Sequence, residues 1–410
     1  MWKWTDSDHI KAIILDGNTL DDEYLDYPYR NIISDVHIFL INKSPRITYD
    51  GIHELIYIDT SLLLQEVLTT ANCQSYSVIA ISANIAFIKE MMQNHIGTIF
   101  AKNISESHLK NLPDFSIDSI DKLIKILEGN ILGYAAEAFA IDCNFLKTKI
   151  LLQIKTEIIL DNLEKKDITL YFGGRYYAKK YGYILDDPLS VVLLNFKSRH
   201  LPAVELFYDQ AIAFIHDFEN FDVLTYVPLK PQEIIDGKFD RFASLTLNQS
   251  KQKNIHLDSI IKCTKDFTQK EISNIHTRQE NVKDAYEVIS NIENKNVLIL
   301  DDLYTSGSTI KEIAKTLYKH GANHVSALLL AVNQTIESMS TLYKKIPCLV
   351  CHDYLDLKIN KKNNLLFFGC RSYDDHQNQN SSDSCIQGIR KLKKINKLEI
   401  RNINDLEDEY

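Results

Sequence analysis

Residues 296–309 read NVLILDDLYTSGST, and this stretch decides how the chain is expected to fold. Val297–Leu300 is a short, continuously apolar run with β-branched residues, which is typical of a strand buried on both faces of a parallel sheet. Asp301 and Asp302 follow it directly. Because ligands of open α/β sheets bind where the strands end, the two carboxylates are candidate ligand-binding groups.

The segment after the acid pair predicts a phosphate-binding loop that leads into a helix. The loop supplies hydroxyl and backbone N–H groups around one glycine, from Thr305, Ser306, Gly307, Ser308 and Thr309. Apolar residues then recur at helical spacing, at Ile310, Ile313, Ala314, Leu317 and Tyr318. Gly321 stands at the expected C-terminal cap, and Val325–Val332 is the next predicted strand. The helix N-terminus would favour a bound phosphate, although an ordinary Asp-containing turn that caps a helix is the alternative.

This order of strand, two acids, TSGST, helix and strand resembles the phosphoribosyl-pyrophosphate (PRPP) signature of type I phosphoribosyltransferases. The resemblance implies that Asp301 and Asp302 are the catalytic acids, which hold the ribose of PRPP and bind Mg²⁺ through water. It also implies that residues 305–309 hold the 5′-phosphate. Nothing in the sequence identifies the acceptor that would receive the phosphoribosyl group.

Further stretches are similar to the ComF-like branch of that family, namely residues 171–214, 221–231 and 261–288. Two departures accompany this similarity. Tyr226 stands where the strand-end motif of the branch usually has proline, and the cysteine-rich zinc element of the branch is not seen ahead of Tyr171. The sequence therefore does not determine the shape of the turn after this strand, on the side where pyrophosphate would bind.

Pyrophosphate needs cations around it when it leaves, and the family carries a mobile hood between the first strand and the PRPP strand. This part of the chain contains six candidates, Lys230, Lys238, Arg241, Lys265, Lys270 and Arg278. Each of them could equally be a solvated surface charge. We select Lys230 and Arg278 as the pyrophosphate-side residues.

Composition frames the whole chain as an ordinary globular protein. It has 410 residues, 45% hydrophobic and 25% charged, which suits two to three domains. No apolar run reaches the length of a membrane span, and the start lacks a secretory signal. An odd number of seven cysteines fits a reducing compartment. We therefore expect a cytoplasmic protein without a membrane partner, and the net charge of −9 argues against indiscriminate nucleic-acid binding.

Residues 1–130 alternate between strand-like and helix-like stretches and resemble a haloacid-dehalogenase-like (HAD-like) α/β domain. LDGNTL, around Asp16, is similar to the opening acidic motif of that family. Ile14 occupies the position two before that acid, and Ser82 stands where the closing motif should supply an aspartate. A phosphatase of this type needs a nucleophilic Asp and further acids for Mg²⁺. We therefore interpret the domain as a degenerate, non-catalytic scaffold or interaction module.

Residues 131–170 are rich in Leu, Ile, Ala and Lys and contain no proline, which predicts helices that connect the HAD-like domain to a phosphoribosyltransferase domain at 171–340.

The C-terminal part of the chain predicts a structural Zn²⁺ site in a zinc-ribbon-like segment at 341–400. Its candidate ligands are Cys348, Cys351, Cys370 and Cys385, with His352 and His376 as substitutes. The FFGC phrase and the preceding C-x₂-C pair resemble the zinc ribbons of topoisomerases, although a second close pair is missing. The fourth ligand, Cys385 or His376, is open, as is the alternative of isolated cysteines.

The same segment is basic, with twelve Lys and Arg against six Asp and Glu in residues 341–401. The charge is concentrated in Ile389–Lys397, ahead of an acidic tail at 401–410. An RNA or DNA partner and a solvated basic helix are both compatible with this pattern.

The sequence thus predicts an α/β protein in which a Rossmann-like type I phosphoribosyltransferase domain follows a HAD-like domain and precedes a zinc-ribbon-like element. The expected function is Mg²⁺-dependent phosphoribosyl transfer from PRPP. The alternative is a non-catalytic PRPP- or nucleotide-sensing regulator or effector, since similar composite proteins belong to bacterial stress or phage-defence systems. Such an effector would act with a nucleic-acid-containing complex.

Overall fold

The computed structural model describes residues 10–43, 51–57, 59–94, 96–140, 148–178, 187–197, 199–267 and 275–334, with four short strands at 356–359, 366–369, 386–388 and 398–401. Of these four strands only the backbone is described. The predicted zinc ligands, both candidate histidines and Ile389–Lys397 lie outside the described residues, so the zinc and nucleic-acid hypotheses stay predictions.

The first part of the chain forms a parallel sheet. Its strands are β1 (Ala12–Asp16), β2 (His37–Ile41), β3 (Ile52–Leu55), β4 (Val78–Ser82), β5 (Gly97–Phe100) and β6 (Phe115–Ser116). They are ordered β3-β2-β1-β4-β5-β6, and every described pair is parallel. β1 and β4 are buried along their whole length, which explains their continuously apolar sequences. The predicted β/α alternation is confirmed here.

Helices flank this sheet: α1 (Asp22–Leu25), α2 (Thr60–Thr70), α3 (Ile85–Gln93) and α4 (Ile120–Leu127), with a short 3-10 helix at Glu106–Asn111 between β5 and β6. Asp59 caps α2 by accepting hydrogen bonds from two backbone N–H groups. Asp16 and Ser82 end the neighbouring strands β1 and β4, and the Ser82 hydroxyl donates to Asp16 Oδ2 at 2.6 Å. The HAD-like character of this domain stays a prediction.

A second sheet contains the predicted signature. Its strands are β7 (Ile131–Tyr134), β8 (Thr148–Ile159), β9 (Lys165–Phe172), β10 (Arg175–Tyr176), β11 (Val223–Tyr226), β14 (Asn296–Tyr304), β15 (His324–Asn333) and β19 (Leu398–Arg401). The main path runs β11-β14-β15-β9-β8-β19, with β10 on β15 and β7 on β8. Only the β8–β9 pair is antiparallel among the described pairs of this sheet. This parallel sheet fits an α/β fold.

The remaining elements surround this sheet. The helices are α5 (Ala135–Phe139), α6 (Pro188–Phe196), α7 (Pro202–Glu219), α8 (Pro231–Ile235), α9 (Asn248–Gln252), α10 (Ile275–Val282) and α11 (Ser308–Lys319). β12 (Ile261–Cys263) and β13 (Tyr286–Val288) form an antiparallel pair between β11 and β14 in the chain. β16 (Asp356–Ile359), β17 (Leu366–Gly369) and β18 (Ile386–Gly388) form a small antiparallel sheet.

The prediction of helices across 131–170 is wrong. Apart from the five-residue α5, the described part of this stretch forms β7, β8 and most of β9, which belong to the second sheet. In β8 the buried side chains Ile154, Thr156 and Ile158 alternate with exposed Lys155 and Glu157, a period of two that favours a strand. The Leu, Ile and Lys content that suggested helices instead belongs to a strand that is buried on both faces in its first half and on one face near its end.

A buried ion cluster joins the two sheets. Arg175 in β10 is fully buried, and its Nε lies 2.7 Å from Glu137 Oε1 in α5. Its Nη1 lies 2.9 Å from Oδ1 of Asp114, the residue before β6. One hydrophobic core also contains residues of both sheets. The sheets are therefore packed as a single body through this region.

Within the described part of the chain, no helix has both the length and the apolar character that a membrane crossing requires.

Candidate functional site

The acid pair lies at a notch in the second sheet. β14 runs between β11 and β15, but the register with β11 ends where Tyr226 meets Leu300. β14 itself continues through Asp301 and Asp302 to Tyr304, paired only with β15. The predicted strand is therefore confirmed but is longer than expected. Because β11 stops first, an edge of β14 opens where the acids stand.

Asp301 is held rigidly in a low-dielectric position. Its Oδ1 accepts a hydrogen bond from the backbone N–H of Asp302 at 2.9 Å, and the Tyr208 hydroxyl donates to its backbone carbonyl at 2.8 Å. Burial and, next, the neighbouring Asp302 charge raise the pKa of Asp301 to about 7, while Arg241 acts in the opposite direction. Asp301 is therefore only partly ionised at neutral pH, even with Arg241 close by.

Asp302 faces two cations. Arg241 Nη2 lies 3.1 Å from its Oδ2, and Lys197 Nζ lies 3.7 Å away. Among the described residues, Asp302 Oδ2 and Arg241 Nε are both buried without a hydrogen-bond partner. Unsatisfied buried polar atoms are uncommon and costly. One such atom belongs to each partner of the Asp302–Arg241 ion pair, and both are therefore available to a polar ligand.

Aromatic side chains fix Arg241 beside the acids. Its guanidinium carbon lies 5.1 Å from the centre of the Phe242 ring. Phe242 is stacked against Tyr226 at 5.8 Å and meets Tyr208 edge-on at 5.7 Å. Tyr226, which departs from the family pattern, is thus part of the packing that holds the Arg241 segment against the sheet.

The loop of residues 305–309 follows β14 and leads into α11. Gly307 precedes the helix with φ of 73° and ψ of 0°, a left-handed conformation that favours glycine. Its carbonyl accepts the first helical hydrogen bond, from Lys311 N at 2.8 Å. The Ser306 and Ser308 hydroxyls lie 2.8 Å apart across the turn. The predicted loop, the helix and the cap near Gly321 are confirmed as structure.

These groups can bind a phosphorylated sugar in three ways. The helix N-terminus and the loop hydroxyls suit a phosphate dianion. The carboxylates of Asp301 and Asp302 suit sugar hydroxyls, and their oxygen chemistry also fits Mg²⁺ held through water and ligand phosphates. Arg241 and Lys197 suit a second anionic group. Among the described residues, no cluster of three or more His, Cys, Asp or Glu could hold a metal by protein ligands alone.

The structure also locates the predicted pyrophosphate-side residues. Lys230 donates from Nζ to the Phe267 carbonyl at 2.5 Å and lies 4.2 Å above the ring of the same residue. Arg278 belongs to α10, and its side chain lies outside the described residues. The cations that contact the acid pair are instead Arg241, a candidate that we did not select, and Lys197, which we did not consider. The position of Lys197 at the end of an apolar helix, directly after Phe196, was the available signal.

Comparisons with known proteins agree with the site. Residues 253–355, about a quarter of the chain, match the family described as a phosphoribosyl transferase domain. The solved structure of Leishmania donovani UMP synthase is similar at 13% identity and a TM-score of 0.22, covering 79% of this chain. The chain spans 65% of the length of that protein, and this distant likeness supports no argument. No curated protein matches. The matched range contains the acid pair and the loop, so this part of the chain is similar to phosphoribosyl transferase domains.

Proposed function

We propose that this protein is a Mg²⁺-dependent phosphoribosyltransferase that uses PRPP as its donor. The observation that carries the proposal is the buried Asp302–Arg241 pair, with an unsatisfied atom on each side, next to a glycine-containing loop at a helix N-terminus. The family match to residues 253–355 supports it. The arrangement offers anion-binding groups at two places and hydroxyl-binding groups between them.

In the proposed complex, loop residues 305–309 bind the 5′-phosphate, and Asp301 and Asp302 accept hydrogen bonds from the ribose hydroxyls. Mg²⁺, bound with PRPP, supplies charge neutralisation at the diphosphate. Arg241 and Lys197 turn from Asp302 toward the departing pyrophosphate. As the C1–oxygen bond of the ribose weakens, the carboxylates stabilise the positive charge on the ring, and positioning provides most of the rate.

The test is a calorimetric titration of PRPP with Mg²⁺ into the whole protein, beside an Asp301→Asn/Asp302→Asn variant. We expect binding by the native protein and none by the variant. Pyrophosphate release is then measured with a panel of purine and pyrimidine bases. Failure of the native protein to bind PRPP would overturn the proposal.

A variant of Arg241 tests whether this cation, rather than another one of the same segment, binds the ligand. Replacing Arg241 by Gln is expected to weaken Mg²⁺·PRPP binding by about 10- to 100-fold, the effect of losing a charged partner of a phosphate. Lys238→Gln is the matched control, since Lys238 belongs to the same segment but pairs with Glu233. Equal affinities of the two variants, measured by calorimetry, would contradict the assignment of Arg241.

The same ion pair favours a second function, the sensing of PRPP or a nucleotide. Arg241 blocks Asp302 in the ligand-free protein, so binding must move Arg241 and the segment around it. A protein that binds PRPP with loss of this pair but releases no pyrophosphate with any base would be a regulator or effector of this kind.

A further inference from the structure

The first domain reaches the phosphate loop through one carboxylate. Glu106 begins the 3-10 helix between β5 and β6. Its Oε1 accepts hydrogen bonds from Lys311 Nζ at 2.7 Å and from the Tyr304 hydroxyl at 3.1 Å. Tyr304 is the last residue of β14, before the loop, and Lys311 lies in the first turn of α11, after it. One side chain therefore holds both ends of the loop.

The Tyr304 ring supports the loop from inside the protein. A Cβ atom on Gly307 would lie 2.6 Å from Tyr304 Cζ, so the phenol fills the space beside the glycine. The ring is also packed edge-on against Phe172, with centroids 5.3 Å apart. Any shift of the Tyr304 hydroxyl is therefore transmitted to the backbone at Gly307, where the loop turns into the helix.

Glu106 is itself fixed from two directions. Its Oε2 accepts a hydrogen bond from Thr156 Oγ1 in β8 at 2.5 Å. The segment after Glu106 is held in place by Gln334, a fully buried residue directly after β15. Gln334 accepts from Leu112 N at 2.8 Å and donates to the Leu109 carbonyl at 3.1 Å. The carboxylate is thus placed by contacts that the loop itself does not make.

We propose that Glu106 is a positioning residue for the 5′-phosphate loop and that the first domain serves phosphate binding by supplying it. The inference rests on the proposed function for its ligand. Without the carboxylate, Tyr304 and Lys311 lose their shared acceptor, and residues 305–309 no longer present their N–H and hydroxyl groups in one arrangement. Pyrophosphate, which is assigned to the Arg241 side of the site, is not affected.

The experiment compares Glu106→Ala with Glu157→Ala in the full chain. Glu157 neighbours Thr156 in β8 and forms an exposed ion pair with Lys165 at 2.8 Å, so it controls for the loss of one carboxylate nearby. Hydrogen exchange of the amides in residues 304–311 is measured without ligand. Calorimetry with Mg²⁺ then follows the binding of PRPP, ribose 5-phosphate and pyrophosphate.

Glu106→Ala is expected to speed exchange at residues 304–311 and to weaken PRPP and ribose 5-phosphate binding about tenfold, the effect of losing a hydrogen bond to a charged group. Pyrophosphate affinity should stay unchanged, and Tyr304→Phe should give part of the loss. Exchange equal to that of Glu157→Ala, or an equal loss for pyrophosphate, overturns the inference. If the native protein binds no PRPP, the proposed function fails, and the exchange comparison alone decides the role of Glu106.

Discussion

Replacing Asp301 by Asn is expected to stabilise the ligand-free protein at pH 8 and to abolish its binding of Mg²⁺·PRPP. Asp301 is buried, and burial together with the Asp302 charge raises its pKa to about 7. An amide of the same shape removes the charge and can still accept the backbone hydrogen bond from Asp302 N. A pKa shift of this size sets an upper limit of about 4 kcal/mol on the gain in the free energy of unfolding. A ligand that requires the carboxylate is lost.

The pH dependence follows from the direction of that shift. Since the folded pKa is about 7 against 3.8 for the free side chain, the folded protein binds the extra proton between these values. The stability that this proton provides is fully present below about pH 4 and is lost as the pH rises toward 7. Urea unfolding of the native protein and of Asp301→Asn should therefore differ most at pH 8, and the difference should shrink as the pH falls toward 4.

The Asp302→Asn variant should behave differently from Asp301→Asn. The charge of Asp302 is paired with buried Arg241, so removing it leaves the guanidinium without its partner. We expect this variant to lose about 1–3 kcal/mol of stability as well as the ligand. Two adjacent acids would then have opposite effects on folding and the same effect on binding. If Asp301→Asn is destabilised at pH 8, or if it still binds PRPP, the description of the acid pair is wrong.

Local sequence signals correctly predicted the strand, loop and helix around the acid pair. The strand of β14, the loop at Gly307 and helix α11 follow one another within about two dozen residues, and their buried runs, turn residues and helical spacing depend on neighbours in the chain. The β/α alternation of the first domain was also predicted, because β1, β2 and β4 are short apolar runs.

Partners that come from distant parts of the chain could not be predicted in this way. Arg241 reaches Asp302 only because Phe242 packs on Tyr226 and Tyr208, which fold that segment back over the sheet. Glu106 follows a strand of the first sheet, whereas Lys311, whose Nζ lies 2.7 Å from Glu106 Oε1, belongs to a helix of the second sheet's domain. A lysine that binds a ligand and a lysine on the open surface have the same side chain and the same charge. The sequence therefore cannot separate them, and the tertiary packing around each one decides its role.

The ion cluster of Arg175 illustrates the same limit and leads to the largest expected loss of stability. Its guanidinium is fully buried and contacts Glu137 through Nε at 2.7 Å and through Nη2 at 2.9 Å. Removing one member of a buried ion pair leaves an uncompensated charge, which costs about 3–5 kcal/mol. We expect Arg175→Met to lower the free energy of unfolding by this amount in urea titrations. Asp161→Asn, which removes an exposed pair with Lys319 at 2.6 Å, should leave it nearly unchanged.

The position of the cluster predicts more than a loss of stability. Asp114 belongs to the first domain and is also fixed by Thr98, whose backbone N–H donates to it at 2.9 Å, whereas Arg175 is in the second sheet. Arg175 therefore couples the unfolding of the two sheets. The native protein should unfold in one transition and Arg175→Met in two. Replacing Glu137 as well, in Arg175→Met/Glu137→Leu, removes one of the two carboxylates that lose their partner and should recover part of the stability. A single transition of unchanged midpoint in Arg175→Met would show that the apolar core alone joins the sheets.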